Sequence, residues 1–146
     1  LTGDARQALA KTVVWVGYKL YLDLLEPLRR HDQVRLDSSL TFEKDRFQEA
    51  INLAMQGVKV SLISSGDSGI YGMAGLALEM FLLLPKTSRP FFQVHPGISA
   101  FQVAAARGGA PLMQDFCVIS LSDRLNAWVS IVIALPYQIS KEEINK

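Results

Sequence analysis

The chain has 146 residues, 49% of them hydrophobic, and carries a net charge of +1. That is one domain's worth of chain with enough apolar side chains for a core, and its charge balance gives no case for nucleic acid or an anionic membrane surface. The single cysteine, Cys117, excludes an internal disulfide, and the longest apolar runs fall short of a bilayer span. No basic-then-apolar signal peptide opens the chain, so a soluble cytoplasmic protein is expected.

Taken in chain order, Thr2 to Lys11 reads as a short helix with Thr2 at its N-cap. Thr12 to Val16 reads as a strand ending at Gly17, followed by a helix from Tyr18 to Arg30. The polar stretch from His31 to Ser39 holds a short edge strand around Val34 and Leu36. Thr41 is expected to cap a helix whose apolar Phe47, Ala50, Ile51 and Ala54 follow the three-four spacing, with Gly57 ending it. A strand from Val58 to Ile63, a helix from Ile70 to Leu84, a strand from Phe91 to His95, a helix from Ile98 to Arg107 and a strand from Phe116 to Leu121 complete the pattern. Strands alternating with helices predict an α/β fold with a parallel sheet and right-handed crossovers.

In a parallel sheet the residues after each strand share one edge, where open α/β folds keep their ligands. Gly17-Tyr18-Lys19, Ser65-Gly66-Asp67, His95-Pro96-Gly97 and Ser122-Asp123 all fall there. The segment from Ser64 to Ala74 is the richest of these. Its glycines permit a sharp turn and a close approach, and the helix start beyond it offers free N–H groups to a polar ligand. Pro96-Gly97-Ile98-Ser99-Ala100 repeats that logic; the Ser99 hydroxyl either binds a ligand or caps its own helix. Ser122 and Asp123 are candidates for a catalytic role by position alone and serve equally as turn formers.

Gly66-Asp67-Ser68-Gly69 also invites a serine-nucleophile reading. Proteases with that motif are all-β, which this pattern contradicts. Esterases with Gly-Asp-Ser supply a histidine late in the chain, and here none follows His95. No cluster of His, Cys, Asp or Glu has metal-ligand spacing, so no metal is expected. Neither a Gly-x-Gly-x-x-Gly nor a Walker loop is present, which argues against a generic nucleotide-binding module.

Four ordered blocks resemble the tetrapyrrole methylases, which move a methyl group from S-adenosylmethionine to a corrin or porphyrin precursor. They are Val16-Gly17-Tyr18-Lys19-Leu20-Tyr21-Leu22-Asp23-Leu24, Ser64 through Gly75, Pro96 through Ala100, and Ala104 through Phe116 running on to Ile119-Ser120-Leu121-Ser122-Asp123. The Gly-Tyr-Lys-x-Tyr and Ser-Leu-Ser-Asp stretches favour the branch acting at carbon 17 of precorrin-3B or cobalt-factor III. The resemblance implies that Ser65, Gly66, Asp67, Ile70, Ser99 and Ala100 contact S-adenosylmethionine. Physical chemistry agrees, since Asp67 can accept from an ammonium or ribose group. Lys19 and Tyr71 would face the tetrapyrrole, whose carboxylates suit a cation at Lys19; a surface lysine is the plainer reading. The resemblance further implies a homodimer.

Members of the family begin with a strand and a Gly-x-Gly-Pro-Gly loop and continue into a second domain. The chain is therefore expected to be the parallel-sheet N-terminal domain over residues 1–125, lacking its first strand and most of the second domain. A remnant or irregular segment would fill 126–146. Two functions are weighed: methyl transfer to carbon 17 of a precorrin-3B-type tetrapyrrole with ring contraction, in cobalamin biosynthesis, or a non-catalytic half-domain that folds or dimerises without turnover.

Overall fold

A computed structural model describes residues 1–109, 112 and 115–118. The chain divides into two compact units, Leu1–Pro111 and Leu112–Lys146. In the second, the described residues Leu112 and 115–118 form no helix or strand. The first unit runs α1 (Gly3–Lys11), β1 (Val14–Tyr18), α2 (Lys19–Leu25), a 3-10 turn (Glu26–Leu28), β2 (Val34–Ser38), α3 (Glu43–Met55), β3 (Val60–Ile63), α4 (Ala74–Leu82), a second 3-10 turn (Lys86–Ser88) and α5 (Ala100–Arg107). The three strands lie in the order β2-β1-β3, all parallel, with Val16 opposite Leu36 and Leu62. This is the α/β architecture that the alternating pattern implied.

The pleat sorts side chains to two faces. Trp15 and Ile63 point to the face covered by Leu9 of α1 and Leu22 of α2, with Tyr21 and Leu25 packed against them. Val14, Val16, Val60 and Leu62 point to the other, against Ala50 and Leu53 of α3. Ala77, Phe81 and Phe92 extend that face around Phe47 and Ile51. Gly17 allows the close approach of α2, since a methyl group there would meet Ile63 Cβ at 3.0 Å and Leu22 Cγ at 3.2 Å. Among the described residues no helix is long and apolar enough to cross a membrane.

Several boundaries differ from expectation for local reasons. Thr12 serves as the C-cap of α1, so β1 starts at Val14 and extends through Tyr18. The helix expected to reach Arg30 stops at Leu25, because Pro27 lacks an N–H and its ring crowds the carbonyl four residues back. Thr41 does not cap α3: Phe42 holds the cap position without a side-chain bond, and Arg46 bonds the carbonyls of Ser39 and Leu40 instead. The Val58 N–H is taken by the Leu53 carbonyl, which delays β3 to Val60. α4 begins at Ala74 rather than Ile70, since the residues between lie in a turn closed by Ala74 N–H to Ser68 O at 2.8 Å.

The strand expected over Phe91 to His95 does not form. Pro90 and Pro96 bracket the segment and can give no N–H to a ladder. At its end the His95 and Pro96 carbonyls accept from Ser68 Oγ (3.4 Å) and Thr2 Oγ1 (2.9 Å). Of the strand expected over Phe116 to Leu121, residues 116–118 are described without strand, and the remainder lies outside the described residues.

Candidate functional site

Parallel pairing brings the C-terminal ends of β1, β2 and β3 to one edge of the sheet, and the 64–73 loop leaves from there. Two of the glycine loops are built against each other. Gly66 adopts a left-handed backbone, φ 63°. A methyl group on Gly97 would stand 1.8 Å from the Gly66 carbonyl oxygen, so only glycine fits that contact. One on Gly66 would lie 3.8 Å from both the Ile98 carbonyl oxygen and Ser99 Cα. The structure thus joins Gly66 and Asp67 to Gly97 and Ser99.

Asp67 binds the two loops together. Its Oδ1 accepts from the Gly69 N–H at 2.8 Å, closing an Asx turn, and its Oδ2 accepts from the Gly97 N–H at 3.0 Å. Sequence reasoning offered the carboxylate to a ligand; its first employment is structural. Each oxygen keeps a further lone pair for a donor.

Ser99 sits at the N-cap of α5, only 6% exposed. Gln102 Oε1 accepts from the Ser99 N–H at 2.8 Å, the reciprocal arm of a capping box. The Gln102 N–H makes its bond to the Ser99 carbonyl at 3.1 Å. Buried Ser99 Oγ faces the Gln102 N–H as the other arm of that capping box, too loosely to count as a fully formed hydrogen bond. As the loops stand the hydroxyl is covered. Ala100 opens α5 on the exposed side.

Tyr71 is the one described non-glycine residue with positive φ, 52°, and its side chain is 67% exposed. Gly72 beside it has no room for a Cβ, which would lie 2.6 Å from the Ser68 carbonyl oxygen. A left-handed backbone at an aromatic residue costs about 1–3 kcal/mol and clusters at ligand sites. Ile70, next to it, is also exposed.

Lys19 shares the edge but makes no bond to these loops; its Nζ pairs with Asp23 one turn on, at 2.7 Å. Asp23 also receives Arg35 at 2.7 Å, and Arg35 reaches Glu26 and Asp37 besides. Hydrogen bonds from Lys19 and Arg35 hold the Asp23 carboxyl below its ordinary range. Those from Arg29 and Arg35 bring Glu26 down to about 2. Lys19 is thus a partly neutralised cation on an exposed helix start. Ser122 and Asp123 lie outside the described residues.

One feature of this edge was not legible in the sequence. Arg46 of α3 is 3% exposed and bonds Ser38, Ser39, Leu40 and Met73. The Asp67 staple had a partial signal, since Asp two residues before Gly favours an Asx turn.

Residues 1–136 match the family model of the Tetrapyrrole (Corrin/Porphyrin) Methylases. The chain is 45% identical over 128 residues to the "Probable cobalt-factor III C(17)-methyltransferase" of Salmonella typhimurium, covering 88% of this chain and 52% of that protein. It is 42% identical over 130 residues to the "Cobalt-factor III methyltransferase" of Priestia megaterium, covering 88% and 24% respectively. With the "Precorrin-3B C(17)-methyltransferase" of Sinorhizobium sp it shares 40% over 129 residues, covering 88% and 50%. Among solved structures, the methyltransferase CobJ superposes with a TM-score of 0.81 at 33% identity, covering 91% of this chain and 55% of that one. The chain spans about half or less of the length of these relatives.

Proposed function

The chain belongs to the tetrapyrrole (corrin/porphyrin) methylases, and on that premise we propose that it binds S-adenosylmethionine between the 65–70 and 97–100 loops and serves methyl transfer to carbon 17 of a precorrin-3B-type macrocycle with ring contraction. The observation that carries this reading is the joining of the two glycine loops, in which Asp67 Oδ2 accepts from the Gly97 N–H and Gly66 lies without a side chain beside Ser99.

The residues present fit the cofactor. Ser99 offers a hydroxyl, Ala100 the exposed first turn of α5, Ile70 an apolar surface, and Ser65 and Gly66 a backbone that a ligand can approach closely. Asp67 holds the two loops in register and keeps lone pairs for an ammonium or ribose hydroxyl. When bound, S-adenosylmethionine supplies an electrophilic methyl group on a sulfonium that departs as a neutral thioether. The protein's share is then alignment and exclusion of water. Tyr71, exposed and held in a strained backbone, and Lys19, at the head of α2, are assigned to the tetrapyrrole. Ser122 and Asp123 complete the assignment as candidates for a catalytic role. Residues 1–125 would form the N-terminal domain of the family fold. The whole enzyme is taken as a cytoplasmic homodimer of cobalamin biosynthesis. The exposed Leu82, Leu83 and Phe91 give a second copy an apolar surface to meet.

Calorimetric titration with S-adenosylhomocysteine tests the cofactor assignment. The chain is expected to bind, and Ser99→Ala to bind about 5- to 10-fold more weakly, the loss of one hydrogen bond of about 1 kcal/mol. Because Ser99 also caps α5, the same variant should lose about 0.5–2 kcal/mol of stability, and its binding is measured at a temperature where it stays folded. A folded chain that takes up no S-adenosylhomocysteine at millimolar concentration would sink the reading and favour the non-catalytic half-domain.

A further inference from the structure

A buried guanidinium stands at the site edge, and among the described residues none of its bonded partners is a carboxylate. Arg46 Nε donates to Ser38 Oγ at 2.6 Å, its Nη2 to the Ser39 carbonyl at 2.7 Å and the Leu40 carbonyl at 3.3 Å, and its Nη1 to Met73 Sδ at 3.1 Å. Ser38 Oγ in turn donates to the Gly17 carbonyl at 3.2 Å. Ser38 ends β2, Gly17 leads into Tyr18 and Lys19, and Met73 closes the 64–73 loop at the N-cap of α4. We propose that Arg46 is a positioning residue for the candidate site, one side chain that fixes the ends of β1 and β2 and the 64–73 loop relative to one another. Its bearing on ligand binding rests on the cofactor reading above; the mechanical coupling does not.

The chemistry requires arginine. A planar fork presents donors in three directions from one buried point, whereas a lysine ammonium on a flexible stem cannot span a hydroxyl, two carbonyls and a thioether at once. Stability alone gives no reason for a charge here, because apolar residues of similar volume commonly replace buried ions without loss. A methionine at this position should therefore fill the space and keep the fold while cutting all four links. That separates positioning from packing.

Backbone amide hydrogen exchange on the whole chain tests the coupling without any ligand. In Arg46→Met, amides of residues 17–19, 38–42 and 70–74 should exchange at least about tenfold faster together. Amides of α5 should keep their rates, and Arg46→Lys should fall between. Faster exchange throughout the chain, or acceleration confined to 38–42, would overturn the proposal. Ser38→Ala, a milder change, should release only 17–19; unchanged exchange there would remove β1 from the coupling and overturn it also. Titration with S-adenosylhomocysteine runs in parallel. If the unmodified chain fails to bind, the cofactor reading fails and exchange alone judges Arg46. If it binds, Arg46→Met should bind about tenfold more weakly, and equal binding would overturn the role in the site.

Discussion

Gly97 and Gly75 make opposite demands on a methyl group. At Gly97 it would collide with the Gly66 carbonyl, a backbone atom that cannot turn aside, whereas at Gly75 nothing lies within 4 Å. Gly97→Ala should therefore destabilise the protein by about 2–3 kcal/mol and weaken S-adenosylhomocysteine binding, because the two loops can no longer close. Gly75→Ala, inside α4, should raise stability by about 0.5–1 kcal/mol through reduced freedom of the unfolded chain. Thermal melts of the two variants side by side check both signs. At this scale the sequence was informative where a residue type answers to backbone need, as at Gly66, Asp67 and Gly97. It was silent where a side chain's role is set by distant neighbours. Arg46 looks in sequence like any exposed helical arginine, and only its burial marks it as different.

Between α2 and β2 the charges form a connected set rather than isolated pairs. Arg35 alone reaches Asp23, Glu26 and Asp37, while Lys19 and Arg29 flank it. This covers the outer edge strand with charge, which discourages pairing with another chain. The carboxyl of Glu26 has an ordinary value of 4.5 and is held at about 2 by Arg29 first and Arg35 second. A depressed carboxyl stabilises the fold above its unfolded value and loses that contribution as pH falls through the folded one. The thermal midpoint should thus decline between about pH 4.5 and 2. Glu26→Gln should show a shallower decline, measured by circular dichroism across that range; an identical slope would contradict the assignment. The elements themselves were mostly legible, α1 with its Thr2 cap above all. Their ends were less so. Pro27 shortens α2, and the turn closed onto Ser68 delays α4.

The first unit is a three-layer arrangement whose two apolar faces are served by different helices. Trp15, 1% exposed, stands at the centre of one face, between Leu9 of α1, Leu22 of α2 and Ile63 of β3. Trp15→Ala should cost about 3–5 kcal/mol, a large part of the 5–15 kcal/mol that holds a domain together. Loss of the cooperative thermal transition, or a much lowered midpoint, is the expected outcome. A midpoint within a few degrees of the unmodified chain would mean that the two faces fold independently. By itself the sequence determined the alternation of strand and helix, and with it the parallel sheet and the edge where the loops gather. Those follow from periodicity and turn chemistry, which act between near neighbours. Tertiary structure alone decided that Asp67 reaches Gly97, 30 residues on, and that Arg46 reaches Met73, 27 residues on. It also left 91–95 without a ladder and buried the Ser99 hydroxyl at the cap of α5. A hydrogen bond across such spans depends on where the whole chain has been brought, and no local pattern carries that information.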